Sequence, residues 1–401
     1  MSSSMPYSRC FFPMHNVIQT YAWGSRTSLN QLFDLPNPDQ QPQAELWMGA
    51  HPNGCSLVEL DQRTWRLSEL IARDPAAFLS TDTANHFGEL PYLFKVLAAD
   101  KALSIQVHPS KTEAEAGFAK EQQAGIPLTA AERNYKDPNH KPELVYALTP
   151  YQAMNGFRSI TQIIEHFSAL KIAAIAPLLE ALIERQTEAG LQKFFTDLLS
   201  LQGEEKEDAL EDLLAHAQRK VAEPLFALIV ELAHSYPNDI GLFAPLMLNV
   251  LTLQPGEAMY LDARTPHAYL KGTGLEIMAN SDNVLRAGLT PKHMDIQELA
   301  RCTHFVEKPA QTLRLTPHID GQAQHYSVPV PDFKFTLYLS AQQQLITTNS
   351  AEILLPLDNE MTVSHANGDS VTLAKGQSLF IPAYVGQYTL RSQGRVARAY
   401  N

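Results

Sequence analysis

The chain has 401 residues, 45% of them hydrophobic and 18% charged, and a formal net charge of −12 at neutral pH. That length allows two or three domains with buried cores, and the composition is that of an ordinary globular protein. The acidic balance argues against nucleic acid or an anionic membrane as the main partner, although a few local cations can still gather a small anion.

The three cysteines, Cys10, Cys55 and Cys302, are far apart and form no CxxC pair. This speaks against a disulfide framework and a thiolate zinc site, and for a reducing, cytoplasmic setting. The opening "MSSSMPYSRCFFPMHN" has no apolar run suited to a signal peptide, and residues 1–10 read as a poorly ordered extension. No later stretch approaches ~18 unbroken apolar residues, so no membrane partner is expected.

From Glu89, two strand-like runs, "LPYLFKVLAA" and "ALSIQVHP", are joined by Asp100 and Lys101 and predict a hairpin. Alternation in the second run puts Ser104, Gln106 and His108 on one face, with Ile105 and Val107 on the other. An amide and an imidazole on one strand face line something other than core. "SKTEAEAGFAKEQQAG" follows as a helix, with Ser110 and Glu113 at capping-box spacing and Gly125 as its stop. The loop "YKDPNHKPE" leads to a strand, "ELVYAL", beginning at Glu143.

Residues 161–235 change to helical periodicity and read as a bundle inserted between β-rich segments. After "PNDIGLF" the β pattern returns, with turns at "QPGE", "KGTG", "ANGD" and "AKGQ". Here "LTLQPGEAMYLDARTPHAY" from Leu251 aligns without gaps to "VTLAKGQSLFIPAYVGQYT" from Val371, with Gly256 and Gly376 at matching turns. The chain is therefore expected to be mainly β with an α-helical insertion and two cupin-type jelly-roll barrels. The expected division is a discontinuous first cupin over residues 1–160 and 236–320, a helical insertion over 161–235, and a C-terminal cupin over 321–401. The C-terminal copy has Gln387 where the first has His267, so it is expected to carry no metal site.

Gln106, His108, Glu143 and His267 offer an amide, two imidazoles and a carboxylate, a set suited to zinc with room for water or substrate. Each signal is weak alone. A histidine beside proline is more often structural, and a glutamate after proline is usually solvated.

The stretches "QTYAWGS", "AELWMGAHP", "LSIQVHPSK", "ERNYKDPNHKPELVYAL", "PHAYL" and "LEIMANSDNVLRAGLTPK" together resemble the type I phosphomannose isomerases, which are zinc-dependent. The similarity runs from about Val17 to past Lys292 and is looser in the C-terminal third. It implies an isomerase of mannose 6-phosphate and fructose 6-phosphate, with one zinc per chain held by Gln106, His108, Glu143 and His267. It also places Arg286 at an active-site arginine position. The implied partner is a small phosphosugar, and a monomer is expected.

Moving a proton between C1 and C2 through an enediolate needs a proton carrier and a fixed positive charge for the oxyanion. Arg286 suits the second need, because guanidinium keeps its charge. Glu276 and Lys141 are both open as the carrier; a carboxylate facing a barrel interior would be desolvated and its pKa raised. Lys111, in the first turn of the helix capped by Ser110, is an expected phosphate contact together with Ser104. A rim salt bridge or a solvated lysine would explain these residues equally well. His51, His140 and His293 read as structural. A sugar-sensing cupin without activity and a cupin oxygenase are the competing readings. The intact ligand set with Arg286 disfavours the first, and the modest histidine content of that set disfavours the second.

Overall fold

The computed structural model describes residues 7–401, so the first six positions of the expected extension lie outside the described residues. Its strands form sheets of ten, nine and four, with a helical block inserted after the first segment. Tyr92–Ala99 shows why the large sheet forms. It is an aliphatic and aromatic run interrupted only by Lys95, and every residue of it is buried.

The organising strand is His267–Ala279, thirteen residues long. Its first part pairs with Gln106 and with Tyr151–Phe157. From Gly272 onward it pairs with Tyr92–Ala99 on one side, and from Gly274 with Glu143–Ala147 on the other. The ladder slips between Tyr269 and Lys271. Gly272 follows with φ of +119°, and a Cβ there would lie 2.3 Å from the Pro150 carbonyl oxygen. Only glycine permits that bend. One strand thereby carries two successive sets of ladders in the ten-stranded sheet and brings His267 and Glu276 to a common interior.

The hairpin expected from Glu89 to Pro109 does not form. The Asp100 and Lys101 amides donate to the Trp23 carbonyl, and the Leu103 amide to that of Tyr269, so the chain leaves the edge of its own strand for the other half of His267–Ala279. Only Gln106–Val107 is extended there, between His267 and the short strand Leu285–Arg286. The helix after it is Lys111–Gln123, with the box between Ser110 and Glu113 closed in both directions.

Five α-helices, Ile160–Leu170, Ala176–Glu184, Glu188–Leu199, Gly203–Arg219 and Pro224–Ser235, make the inserted block. Each turns an apolar stripe inward, burying Phe167, Leu182, Phe194, Leu213 and Ile229 among others. Phe167 stacks on Phe243 at 5.8 Å and ties the bundle to the segment that returns to the sheets. The nine-stranded sheet belongs mostly to the C-terminal segment, yet Phe12–His15 enters it, with Phe12 opposite Phe380 and His15 opposite Leu57. The first segment therefore contributes to both large sheets. Among the described residues no helix is long and apolar enough to cross a membrane.

Candidate metal centre and cleft

His108, Glu143 and His267 converge and are all buried. His108 follows the strand Gln106–Val107, Glu143 opens Glu143–Ala147, and His267 opens the central strand. His108 Nε2 lies 3.4 Å from Glu143 Oε1, and His267 Nε2 lies 3.4 Å from Oε2. Both Nδ1 atoms face main-chain carbonyls, Asn283 at 2.8 Å and Thr265 at 2.9 Å. A carbonyl only accepts, so each Nδ1 carries hydrogen, and in the neutral ring this leaves the Nε2 lone pair for a metal.

Burial pushes His108 down to about 4, so its ring is neutral at pH 7. Its Nε2 has no hydrogen bond and no exposure to solvent. Lone pairs facing a carboxylate repel it unless a cation lies among them. One ligand atom from each residue falls within 4.8 Å of the others, so a single ion can touch all three. Gln106 pairs in register with His267 and lines the adjoining cavity. Two imidazoles, a carboxylate and an amide fit zinc.

The adjoining cavity is about 60 Å³ and is also lined by Glu45, Lys95, Lys141, Tyr269 and Glu276. Burial opposes the charge on Glu143, but the His108 ring and the Lys141 ammonium outweigh it and hold this carboxyl well below the usual range. With His108 neutral, Lys141, 3.5 Å from Oε1, carries that effect at pH 7. Glu276 behaves oppositely. Burial raises its pKa, Lys95 opposes the rise, and the charges of Glu143 and Glu45 reinforce it. The single Tyr269 hydroxyl hydrogen faces two carboxylates, 2.7 Å from Glu143 Oε2 and 2.8 Å from Glu276 Oε1. It can serve one at a time, and a proton on Glu276 relieves the other contact. Burial works to lower Lys95, yet Glu276 at 3.1 Å and Glu45 at 3.8 Å outweigh it and keep the ammonium charged.

Outside this cavity opens a cleft of about 420 Å³, and Ser104, Gln106, Lys95 and Lys141 face both spaces. Arg286 and Lys292 line the cleft wall. Gln106 pairs in register with both His267 and Arg286, so these three side chains form one row on one face, their Cα atoms ~5 Å apart. The Arg286 charge, then burial, then Lys136 draw the Lys292 ammonium below its ordinary value. Two cationic side chains thus share this wall.

Lys111 does not join it. Its ammonium bonds the Pro138 carbonyl at 3.1 Å and Asn139 Oδ1 at 3.2 Å, and lies 3.5 Å from Glu115. Acceptors within reach of the helix's first turn hold the side chain there, and it lines neither space. His140 bonds Asp332 at 3.0 Å. His51, read as structural, lies 3.3 Å from Asp282, and both line the cleft. Sequence reasoning missed Lys95, Glu45 and Lys292. Lys95 had a readable signal: a lone charge in an otherwise apolar buried strand must be paired or lie at a site.

The C-terminal copy holds a counterpart of this centre. Leu261 and Ile381 occupy the same place in the repeat. Leu261 pairs with Glu143, and Ile381 pairs with Glu352. Glu352, fully buried, meets the guanidinium of Arg398, with Nε at 2.9 Å, and accepts from the Tyr388 hydroxyl at 2.8 Å. A side-chain cation thus neutralises the second carboxylate.

Three stretches of the chain match family models. Residues 11–160 match "Phosphomannose isomerase type I, catalytic domain", 165–248 match its helical insertion domain, and 322–401 match "Mannose-6-phosphate isomerase, cupin domain". The mannose-6-phosphate isomerase of Escherichia coli (strain K12) is 47% identical over 388 residues, covering 96% of this chain and 98% of its own. That of Homo sapiens is 34% identical over 408 residues, covering 93% of each. A solved mannose 6-phosphate isomerase in its holo, zinc-bound form has a TM-score of 0.93 at 47% identity, covering 98% of this chain and 99% of that one.

His267→Ala should reduce bound metal from one ion per chain to a small fraction, read by elemental analysis after dialysis; unchanged occupancy would remove His267 from the ligand set. Glu352→Gln should leave the buried Arg398 unpaired and cost about 3–5 kcal/mol in denaturant unfolding, with metal content unaltered.

Proposed function

This chain belongs to the type I phosphomannose isomerase family, and from that premise we propose that it interconverts mannose 6-phosphate and fructose 6-phosphate with one zinc ion per chain. The observation that carries the reading is the pair of imidazole Nε2 atoms trained on Glu143 at 3.4 Å, beside a cavity that holds a second carboxyl of raised pKa. The holders of the ion are Gln106, His108, Glu143 and His267. When bound, zinc supplies a Lewis acid for the sugar oxygens.

The inner cavity receives the C1–C2 end, because the proton-handling groups meet there. Glu276, as the carboxylate, takes the carbon-bound proton and returns it to the neighbouring carbon. Its raised pKa brings it closer to the matched range of a useful base. Lys95, 3.1 Å away, holds the carboxylate in place while it is ionised. Lys141, facing both spaces, offers an N–H to a sugar oxygen. Arg286, in one row with Gln106 and His267, places a permanent positive charge where the enediolate develops. Lys292 and Ser104 take the phosphate end in the outer cleft, and Lys111 has no part in it.

The proposed division is a catalytic cupin over residues 1–160 and 236–320, a helical insertion over 161–235 and a C-terminal cupin over 321–401. Three buried cysteines without disulfides suit a cytoplasmic enzyme, and the net charge of −12 disfavours nucleic acid as a partner. A monomer is the simplest assembly, since one chain supplies every group named.

The direct test is conversion of mannose 6-phosphate, which should vanish on chelation and return with zinc. Glu276→Gln keeps the shape and loses the base, so kcat should fall by about 10²–10⁴ with zinc retained. Activity near the wild-type level would move the base elsewhere. Arg286→Ala should lower kcat by about 10²–10³ with little change in KM. A large KM rise at unchanged kcat would instead make it a ground-state anchor.

A further inference from the structure

Just past the last helix of the inserted block, Pro224–Ser235, lies a residue that the reaction scheme does not use. Asp239 lies where the chain leaves the insertion for the sheets, at the start of the short turn Ile240–Phe243. Its Oδ1 accepts from the Gly241 amide at 2.7 Å and from the Leu289 amide at 2.8 Å. Its Oδ2 accepts from the Thr290 amide at 2.9 Å. The first bond caps its own turn. The other two reach across to the cleft wall that carries Lys292.

That wall needs holding. Leu289 has φ of +52°, a left-handed conformation that a bulky residue adopts only under constraint. Gly288 has φ of +124° and lies against Gly241, so that a Cβ on Gly288 would come 2.6 Å from the Gly241 Cα. On its other side the segment is bonded to the strand of Gln106, with Ile105 N to Gly288 O at 3.0 Å and Ala287 N to Ile105 O at 2.9 Å. Beyond Leu289 the carboxylate of Asp239 takes over. Leu289, Thr290, Pro291 and Lys292 all line the cleft.

We propose that Asp239 is a positioning residue that fixes the Leu289–Lys292 wall and so sets how tightly the phosphate end of the sugar is held. The inference rests on the assignment of the phosphate to Lys292. It gives the segment that follows the helical insertion a part in binding, delivered through one carboxylate. On that assignment the reacting atoms lie in the inner cavity, which none of Leu289, Thr290, Pro291 and Lys292 lines. A displaced wall therefore weakens ground state and transition state alike and appears in KM.

The test uses the full-length, zinc-replete enzyme with mannose 6-phosphate. Asp239→Asn keeps the shape but turns an amide N–H towards one of its donors. Asp239→Ser retains an oxygen for the local cap and loses the reach to Leu289 and Thr290. Both should raise KM about tenfold or more while kcat stays within about threefold, with one zinc per chain. Lys292→Ala should raise KM as well, and Asp239→Asn added to it should raise KM little further, because both act on one contact. If Lys292→Ala leaves KM unchanged, the phosphate assignment fails and the inference falls with it. If Lys292→Ala raises KM but both Asp239 variants leave it unchanged, or their effects multiply with that of Lys292→Ala, only the inference on Asp239 fails. Should Asp239→Asn not fold, Asp239→Ser decides.

Discussion

A buried carboxylate that faces two buried imidazoles constrains the rest of this structure. Glu143 lies between the Nε2 atoms of His108 and His267, and main-chain carbonyls hold the hydrogens of both rings on the far side. Such a group is tolerated in a protein interior only with a compensating cation. Lys141 supplies part of the charge. The remainder is a place for a metal. The C-terminal copy met the same demand differently, for Glu352 at the matching position is neutralised by Arg398, with no imidazole at Gln387. One architecture thus contains an open and a closed solution to the same electrostatic problem.

The carboxylate next door shows how environment divides labour. Glu143 and Glu276 are both buried, and a single Tyr269 hydroxyl lies between them. Cationic and hydrogen-bonding neighbours depress the first, whereas burial and surrounding negative charge raise the second. Two groups of one chemical type are thereby driven in opposite directions, one towards its ionised form and one towards its protonated form. Lys95, buried between Glu45 and Glu276, keeps the arrangement from accumulating uncompensated negative charge.

Backbone geometry makes this crowding possible. The bend at Gly272 lets one strand pair His267 with one set of neighbours in the ten-stranded sheet and Glu276 with another, with both still facing the same interior. The two-residue strand Gln106–Val107 bridges His267 and Arg286, and so joins the metal cluster to the outer cleft. The helical block packs against the segment that returns to the sheets, through Phe167 on Phe243, and Asp239 at its end reaches the cleft wall. Inner cavity, cleft and insertion are therefore mechanically continuous.

Much of this was legible in residue order. The inserted helices, the Ser110–Glu113 box and the turns at Gly256 and Gly376 follow from periodicity, local side-chain bonding and the freedom of glycine at positive φ, all short-range effects. The motifs naming Gln106, His108, Glu143 and His267 were equally visible, since each stretch carries its own pattern. What the sequence could not supply was partnership across distance. It read Tyr92–Ala99 and the run after it as a hairpin, although those strands pair with different halves of His267–Ala279. It placed Lys111 at the phosphate, although nearer acceptors hold that side chain. It passed over Lys95, whose role exists only beside Glu45 and Glu276. Local conformation is set by neighbours in the chain, whereas the state of a buried charge is set by whatever residues, however remote in sequence, the packed sheets bring within a few ångströms.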